Sequence, residues 1–169
     1  MMKRQIIWLW VVAIFLLGFV NYGIVQKETL LRTGTLVLLE IGPRDPRSLI
    51  QGDYMAILYR LPEQIQIDDL PHSGQLVVKR GNHDVGELVG LYDGQTSLAA
   101  DEIVVNYYKR GGDVEIGATS FFFQEGQAQV YEDARYGELR VASSGEAILV
   151  GLADQNFHTL GATYEDAVP

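Results

Sequence analysis

Residues 52–59 read Gly52-Asp53-Tyr54-Met55-Ala56-Ile57-Leu58-Tyr59, a turn-forming Gly-Asp pair that leads directly into alternating aromatic and aliphatic residues. Glycine and aspartate are typical of turns, and successive side chains of a strand point to opposite faces of the sheet. Tyr54 and Tyr59 are an odd number of positions apart, so we expect one ring in the core and the other toward solvent or a partner. The stretch predicts a turn followed by a strand.

The chain from residue 34 onward repeats this type of pattern. Short apolar segments are each bounded by Gly, Pro or Asp, and they comprise residues 35–41, 54–61, 75–80, 87–92, 102–108, 113–116, 120–123, 127–132, 137–142 and 147–152. Hairpin turns are expected where residues that accept positive φ separate them, at 81–84, 93–94, 111–112 and 143–145. Strands this short at such regular spacing predict a mainly β fold, an antiparallel β sandwich or barrel-like domain.

The N-terminal segment has a different character. Residues 6–25 contain no charge, and a helix of that length spans about 30 Å, the thickness of the hydrocarbon core of a bilayer. Trp8, Trp10 and Tyr22 lie near its two ends, where such rings favour the headgroup boundary. A cleaved signal peptide is the competing interpretation, but residues 19–23 offer no small-x-small cleavage site. We therefore predict one N-terminal transmembrane helix.

The charge distribution predicts how this helix is oriented. Lys3 and Arg4 precede it, so the positive-inside rule places residues 1–5 in the cytoplasm, 6–25 in the membrane, 26–33 in a juxtamembrane stalk and 34–169 in an extracytoplasmic β domain. Two of the 13 basic residues precede residue 27, and the remaining 11 face 22 acidic residues, a net charge of −11. Such a domain repels phosphates, so no nucleic acid partner is expected.

The sequence contains few residues that could bind a metal ion or act as a thiol nucleophile. Cysteine is absent, which excludes disulfides and thiol catalysis. His72, His83 and His158 are isolated, without the paired spacing of a metal-binding helix, so neither a metal nor another cofactor is expected.

Two segments carry a resemblance to a known family. The octapeptide, with Ile57 where leucine is usual, and the block at 121–141, with its Phe run and Arg135-Tyr136-Gly137-Glu138-Leu139-Arg140-Val141, resemble the GDYXXLXY family of bacterial membrane-anchored proteins. The resemblance implies a single-pass protein of the bacterial inner membrane and a multi-spanning membrane protein as partner. It implies no settled activity, so we expect an extracytoplasmic binding or accessory subunit without catalysis.

The same two segments and the loop between the first strands supply the candidate binding residues. Arg44, Asp45 and Arg47 form a charge cluster that either docks a partner or pairs within its own loop. Asp53 is expected to fix its turn through backbone N–H groups. The charged residues of the second block, Glu138 among them, are expected on a solvated surface. The full set is Arg44, Asp45, Arg47, Gly52, Asp53, Tyr54, Tyr59, Tyr131, Arg135, Tyr136 and Gly137.

A fainter resemblance gives the alternative function. Residues 43–54 are similar to the active-site loop of type I signal peptidases, and residues 77–80 are similar to their later strand with a Lys-Arg pair. Arg44 stands at the position of the serine nucleophile and cannot attack a carbonyl. A peptidase or other hydrolase on this scaffold would therefore have to use Ser48 with Lys79.

Overall fold

The computed structural model describes residues 2–42 and 54–161, with side chains from residue 7 onward. A helix, α1, covers Met2–Thr33 and is followed after one residue by a β domain. The strands are β1 Thr35–Glu40, β2 Tyr54–Ala56, β3 Ser73–Arg80, β4 Val85–Leu91, β5 Glu102–Arg110, β6 Asp113–Ile116, β7 Ser120–Phe122, β8 Tyr136–Val141, β9 Ala147–Ala153 and β10 Thr159–Leu160. A short helix, α2 Ala128–Tyr131, precedes β8.

Helix α1 is apolar around its whole circumference. Its large side chains between Ile7 and Val25 are each exposed by at least half, and the stretch Ile7–Thr33 is long and apolar enough to cross a membrane. By length and composition it is a membrane span or a signal sequence. The amide of Asn21 donates to the Leu17 carbonyl at 2.8 Å, so this polar group is hydrogen-bonded within the helix.

The β domain is built on one large sheet with the strand order β10-β9-β8-β1-β4-β3-β5-β6. Every pair in it is antiparallel except β1 and β4, which run parallel. A second, two-stranded ribbon pairs β2 with β7, and a bridge between Ile41 and Tyr59 links it to the end of β1. The mainly β, antiparallel fold class expected from the sequence is confirmed.

The large sheet coils into a partly open barrel. β5 and the turn between β8 and β9 are separated by three strands in the sheet order, yet the Asn106 N–H donates to the Gly145 carbonyl at 2.7 Å. The right-handed twist of strands produces this coiling. The core inside the curve is formed by Val37, Leu39, Leu76, Val78, Val105, Tyr107, Ile116, Leu139 and Leu152, all of which are fully buried.

The predicted turns at 111–112, 143–145 and 81–84 are confirmed, because they close the hairpins β5–β6, β8–β9 and β3–β4. Gly111 and Gly112 have φ of 59° and 89°, which a two-residue hairpin turn requires and glycine adopts without strain. The predicted hairpin at Asp93-Gly94 is wrong. β3 lies between β4 and β5 in the sheet, so this segment crosses over β3 instead of joining neighbours.

Two other expectations need correction, and one strand was missed. Residues 127–132 form the single helical turn α2 instead of a strand, because a reversal after Gly126 and a Val130 N–H bond to the Gln127 carbonyl wind the chain. The strand predicted for 54–61 is shorter, because β2 ends at Ala56. The Ile57 N–H still donates to the Thr119 carbonyl at 2.9 Å, and the chain then crosses to the end of β1 at Tyr59. β10 was not predicted, since two residues are too few to show a strand pattern.

Candidate functional site

The octapeptide follows the two-residue period of a strand even beyond β2. Met55, Ile57 and Tyr59 are buried, whereas Tyr54 is half-buried. The expectation that one tyrosine fills the core while the other lies at the surface is confirmed. Six of the candidate residues lie outside the described residues, so their predicted roles stay predictions. They are Arg44, Asp45, Arg47, Ser48, Gly52 and Asp53.

The core tyrosine joins the two family-like segments. Tyr59 packs against Gly137 of β8, where an added Cβ would lie 3.4 Å from the Tyr59 ring and 3.1 Å from Leu149 Cδ1. The Tyr59 ring is thus in van der Waals contact with β8 at Gly137, and the tighter neighbour of an added Cβ is Leu149. The Tyr59 hydroxyl is buried without a hydrogen-bond partner among the described residues, and burial raises the pKa of this phenol.

The Phe run divides between the core and the surface. Phe121 and Phe123 pack against buried Tyr131, with ring centroids 5.3 and 4.8 Å away. Phe122 points the other way and is 69% exposed, and its ring lies 5.7 Å from that of Tyr54 across the β2–β7 ribbon. The ribbon thus presents a pair of aromatic rings on its outer face, a surface of the type that proteins use for contact.

The residues of the second family-like segment, at 121–141, lie in different environments. Arg135 is exposed, and its backbone bonds both to Ala153 and to Ile41, tying the start of β8 to its neighbours. Tyr136 is half-buried on the outer face of the sheet. The structure therefore brings Tyr59, Gly137 and the core together, but it places Tyr54, Arg135 and Tyr136 at separate surface positions.

Glu138 corrects the expectation of a solvated surface. It is only 9% exposed, and its Oε1 accepts a hydrogen bond from Thr159 Oγ1 at 2.5 Å. Its other oxygen lies over Gly151, where an added Cβ would be 2.6 Å away. Burial raises the pKa of this carboxyl, while the Thr159 bond and the Arg140 charge oppose the rise. No pattern in the sequence indicated that β10 covers this part of the outer face.

A strained aromatic stack lies on the same outer face. The Phe157 ring stacks on His83 and tilts against Tyr136, with both centroid distances 5.2 Å. Phe157, His83 and Asp84 have φ of 64°, 57° and 58°, a region that bulky residues rarely occupy. Strain of this kind persists only where surrounding contacts hold it.

Asp154 holds the loop that carries Phe157. Its carboxylate accepts the backbone N–H groups of Asn156 and His158 at 2.7 and 2.9 Å. The His158 backbone bond is the largest of the interactions that hold the pKa of Asp154 below its usual range. The loop therefore has a defined shape although Asp154 is at the surface.

The structure gives no support to the hydrolase alternative. The side chain of Lys79 is 57% exposed, and its Nζ lies 4.0 Å from a carboxylate oxygen of Asp101. Catalytic lysines of this type need a buried environment in which the amine loses its proton. Among the described residues, no group of three His, Asp or Glu side chains lies close enough to hold a metal ion.

A cleft of about 750 Å³ opens where α1 meets the β domain. Its walls are the last turns of α1, the first residues of β5 and the turn after β8, and they include Thr29, Leu30, Glu102, Val104, Ser143 and Glu146. This volume is in the range of ligand-binding clefts in proteins. Sequence reasoning missed the cleft, because its walls are distant in the chain and only the coiling of the sheet brings them together.

The family model of the GDYXXLXY protein matches residues 16–152, which is most of the chain. The chain belongs to the GDYXXLXY family. The GDYXXLXY match begins within α1 and ends in β9, so it includes the junction between helix and sheet as well as both segments joined by Tyr59 and Gly137. No curated protein and no solved structure gives a significant match to the chain.

Proposed function

We propose that this GDYXXLXY protein is a membrane-anchored accessory subunit whose extracytoplasmic β domain binds a multi-spanning membrane protein. The observation that carries the proposal is the junction at Gly34. It is the only residue between a helix with exposed apolar side chains on all faces and the first strand of the domain. A domain fixed so closely to a membrane helix is held at a constant distance from the bilayer. This position suits it to bind an adjacent membrane protein.

Contacts at the junction support a rigid connection. Leu30 is 6% exposed against the domain, and Arg140 of β8 donates to the Gly34 carbonyl at 3.2 Å. Lys27 of α1 pairs with Glu146 in the turn after β8. Removal of the helix as a signal sequence would break these contacts, which favours retention of α1 as an anchor. Lys3 and Arg4 favour a cytoplasmic N-terminus at the inner membrane.

The surface of the domain favours binding over chemistry. Exposed Phe122 and half-buried Tyr54 form an aromatic pair at the surface, and the cleft beside α1 lies next to the expected membrane surface. Exposed apolar patches of this kind are common at protein interfaces.

The proposal is tested by cross-linking in native membranes, followed by purification of the anchored chain. We expect a multi-spanning membrane protein among the cross-linked products. A flexible Gly-Ser insertion after Thr33 should keep the chain in the membrane but reduce the cross-linked product, because the domain is no longer held at a set height. The same insertion between Gly111 and Gly112, in an exposed hairpin turn, is the matched control and should leave the product unchanged. Recovery of the chain alone, or of a mature form free of the membrane, would contradict the proposal.

A further inference from the structure

Strand β5 has one side that is only partly paired. The Arg80 N–H donates to the Asp101 carbonyl and the Lys109 N–H donates to the His72 carbonyl, so odd-numbered residues of this segment direct their backbone groups toward β3. In an antiparallel ladder the backbone groups of successive residues point to opposite sides. The even-numbered residues of β5 therefore direct theirs away from β3.

Partners for the second side are present only toward the end of β5. β6 pairs with Tyr107 to Arg110, and the Asn106 N–H donates to the Gly145 carbonyl. The Glu102 N–H bonds to the Ala99 carbonyl in its own turn. No described strand pairs with this side of residues 102–105, which leaves the N–H and C=O of Val104 at an open strand edge.

This open edge borders the cleft beside α1. Glu102, Ile103 and Val104 line one wall, and the end of α1 and residues 141–144 line the other. Val104 is only 9% exposed, so its peptide groups are mostly shielded from bulk water. Backbone groups in such positions are normally hydrogen-bonded, and an added strand would supply both bonds at once.

The charges at the cleft define the kind of strand that fits. Glu102 and Glu146 are the charged residues among its described lining. Because Lys27 already pairs with Glu146, the Glu102 carboxylate and the formal net charge of −9 of the whole chain are what attract a basic segment. A basic segment therefore meets complementary charge. The open stretch of β5 spans about 13 Å at roughly 3.3 Å per residue, which suits a short extended segment.

We infer that an extended, basic segment from an extramembrane loop of the partner adds as a strand to the edge of β5 at Val104, within the cleft beside α1. This inference rests on the proposed function and specifies how the partner is held. Binding by main-chain hydrogen bonds explains why the cleft needs few specific side chains.

The probe is a fluorescent peptide that alternates Val and Lys, titrated into the full chain in detergent micelles. We expect saturable binding, and at least about tenfold weaker binding of one of two peptides of the same sequence that carry N-methyl groups on alternate residues, namely the one whose methylated residues face β5. The other peptide, methylated on the residues that face away from β5, should bind as the parent does. Those two peptides keep the charge of the probe, so attraction to the acidic surface alone would leave their binding equal to that of the parent.

Variants of the chain give a second measurement. Val104→Pro removes the N–H that faces the cleft without removing a bond to β3, and it should weaken peptide binding at least about tenfold. Val104→Ala keeps the N–H and should bind as the wild type does. Circular dichroism checks the folding of both variants, and if the proline variant does not fold, the N-methylated peptides on the wild-type chain decide the result.

Absence of saturable binding, or equal binding of the parent and both N-methylated peptides, would overturn the strand-addition inference. Neither result bears on cross-linking to a multi-spanning protein in native membranes, so failure of this inference is distinguishable from failure of the proposed function. If cross-linking recovers a partner while the peptide fails to bind, the partner uses another surface, such as the aromatic pair of Tyr54 and Phe122.

Discussion

Tyr59 lies against Gly137, so that a Cβ at position 137 would be 3.4 Å from the tyrosine ring. The two residues belong to segments that are far apart in the chain and that carry the family resemblance in common. Their contact shows that the two segments pack together in one core.

Gly137→Ala should destabilise the domain by about 1 kcal/mol relative to Gly90→Ala, because the added Cβ would lie 3.1 Å from Leu149 Cδ1 and force that side chain to shift. Gly90→Ala is the matched control. Gly90 also lies in a strand, but a Cβ there meets nothing within 4 Å. Chemical denaturation of both variants measures the difference, and equal stabilities would show that Leu149 accommodates the methyl group without cost.

Tyr59→Phe should change stability by less than about 1 kcal/mol or increase it, since the buried hydroxyl that it removes has no described partner. Tyr59→Ala should cost about 3–5 kcal/mol, because it empties the space that the ring fills. Thermal unfolding of the Tyr59→Phe and Tyr59→Ala variants measures this difference in stability. A large loss in the phenylalanine variant would mean that the hydroxyl makes a stabilising hydrogen bond.

Glu138→Gln should make the domain less sensitive to rising pH. Burial raises the pKa of Glu138 in the folded state, so between the unfolded and folded pKa values the folded state binds more protons. Its contribution to stability therefore falls as the pH rises from the ordinary glutamate pKa through the higher folded pKa, and it stays reduced above that value. The amide of glutamine cannot ionise but can still accept the Thr159 bond.

Denaturation curves from pH 4 to pH 8 measure this effect. The wild type should lose stability relative to the glutamine variant as the pH rises, and the variant should be the more stable of the two near neutrality. Glu125→Gln, in an exposed turn, is the control for removing one negative charge. A difference between wild type and the Glu138 variant that is constant over this range would contradict the prediction.

Phe157→Gly should be more stable than Phe157→Ala by about 1 kcal/mol, although both remove the ring from the stack on His83. The backbone of residue 157 has a φ of 64°, which glycine adopts without steric cost and alanine does not. In an ordinary strand the order is reversed, with alanine the more stable. Finding that usual order at 157 would mean that the left-handed conformation is not retained in the variants.

Single cysteines should report the orientation of the chain, since the natural sequence contains none. Val89→Cys, at an exposed position of β4, should react with a membrane-impermeant maleimide in spheroplasts. Gln5→Cys, which keeps Lys3 and Arg4, should react only after the membrane is permeabilised, because these basic residues favour a cytoplasmic N-terminus. The opposite pattern would reverse the proposed topology.

The sequence predicted the membrane-type helix, most strands and three of the four hairpin turns, because these depend on local patterns of apolar residues and glycines. It also predicted the separate environments of Tyr54 and Tyr59, since strand period decides them. The failures involve contacts between distant segments. Residues 127–132 have a strand-like composition, but Tyr131 enters the core beside Phe121 and Phe123 from a single helical turn.

The candidate site was less predictable than the fold for the same reason. Glu138 has the sequence context of a surface residue, and only the position of Thr159 shows that it is covered. The open edge at Val104 depends on which strands become neighbours and on how strongly the sheet coils. Neither property is contained in the pattern of a single strand.

The one-residue connection at Gly34 has a mechanical consequence. A helix of 32 residues is about 48 Å long, and its end is packed against the sheet, so it acts as a lever on the domain. Membrane helices adjust their tilt to the thickness of the surrounding bilayer. With α1 retained as the proposed anchor, a thicker or thinner membrane would therefore swing the whole domain through the same angle and redirect the mouth of the cleft.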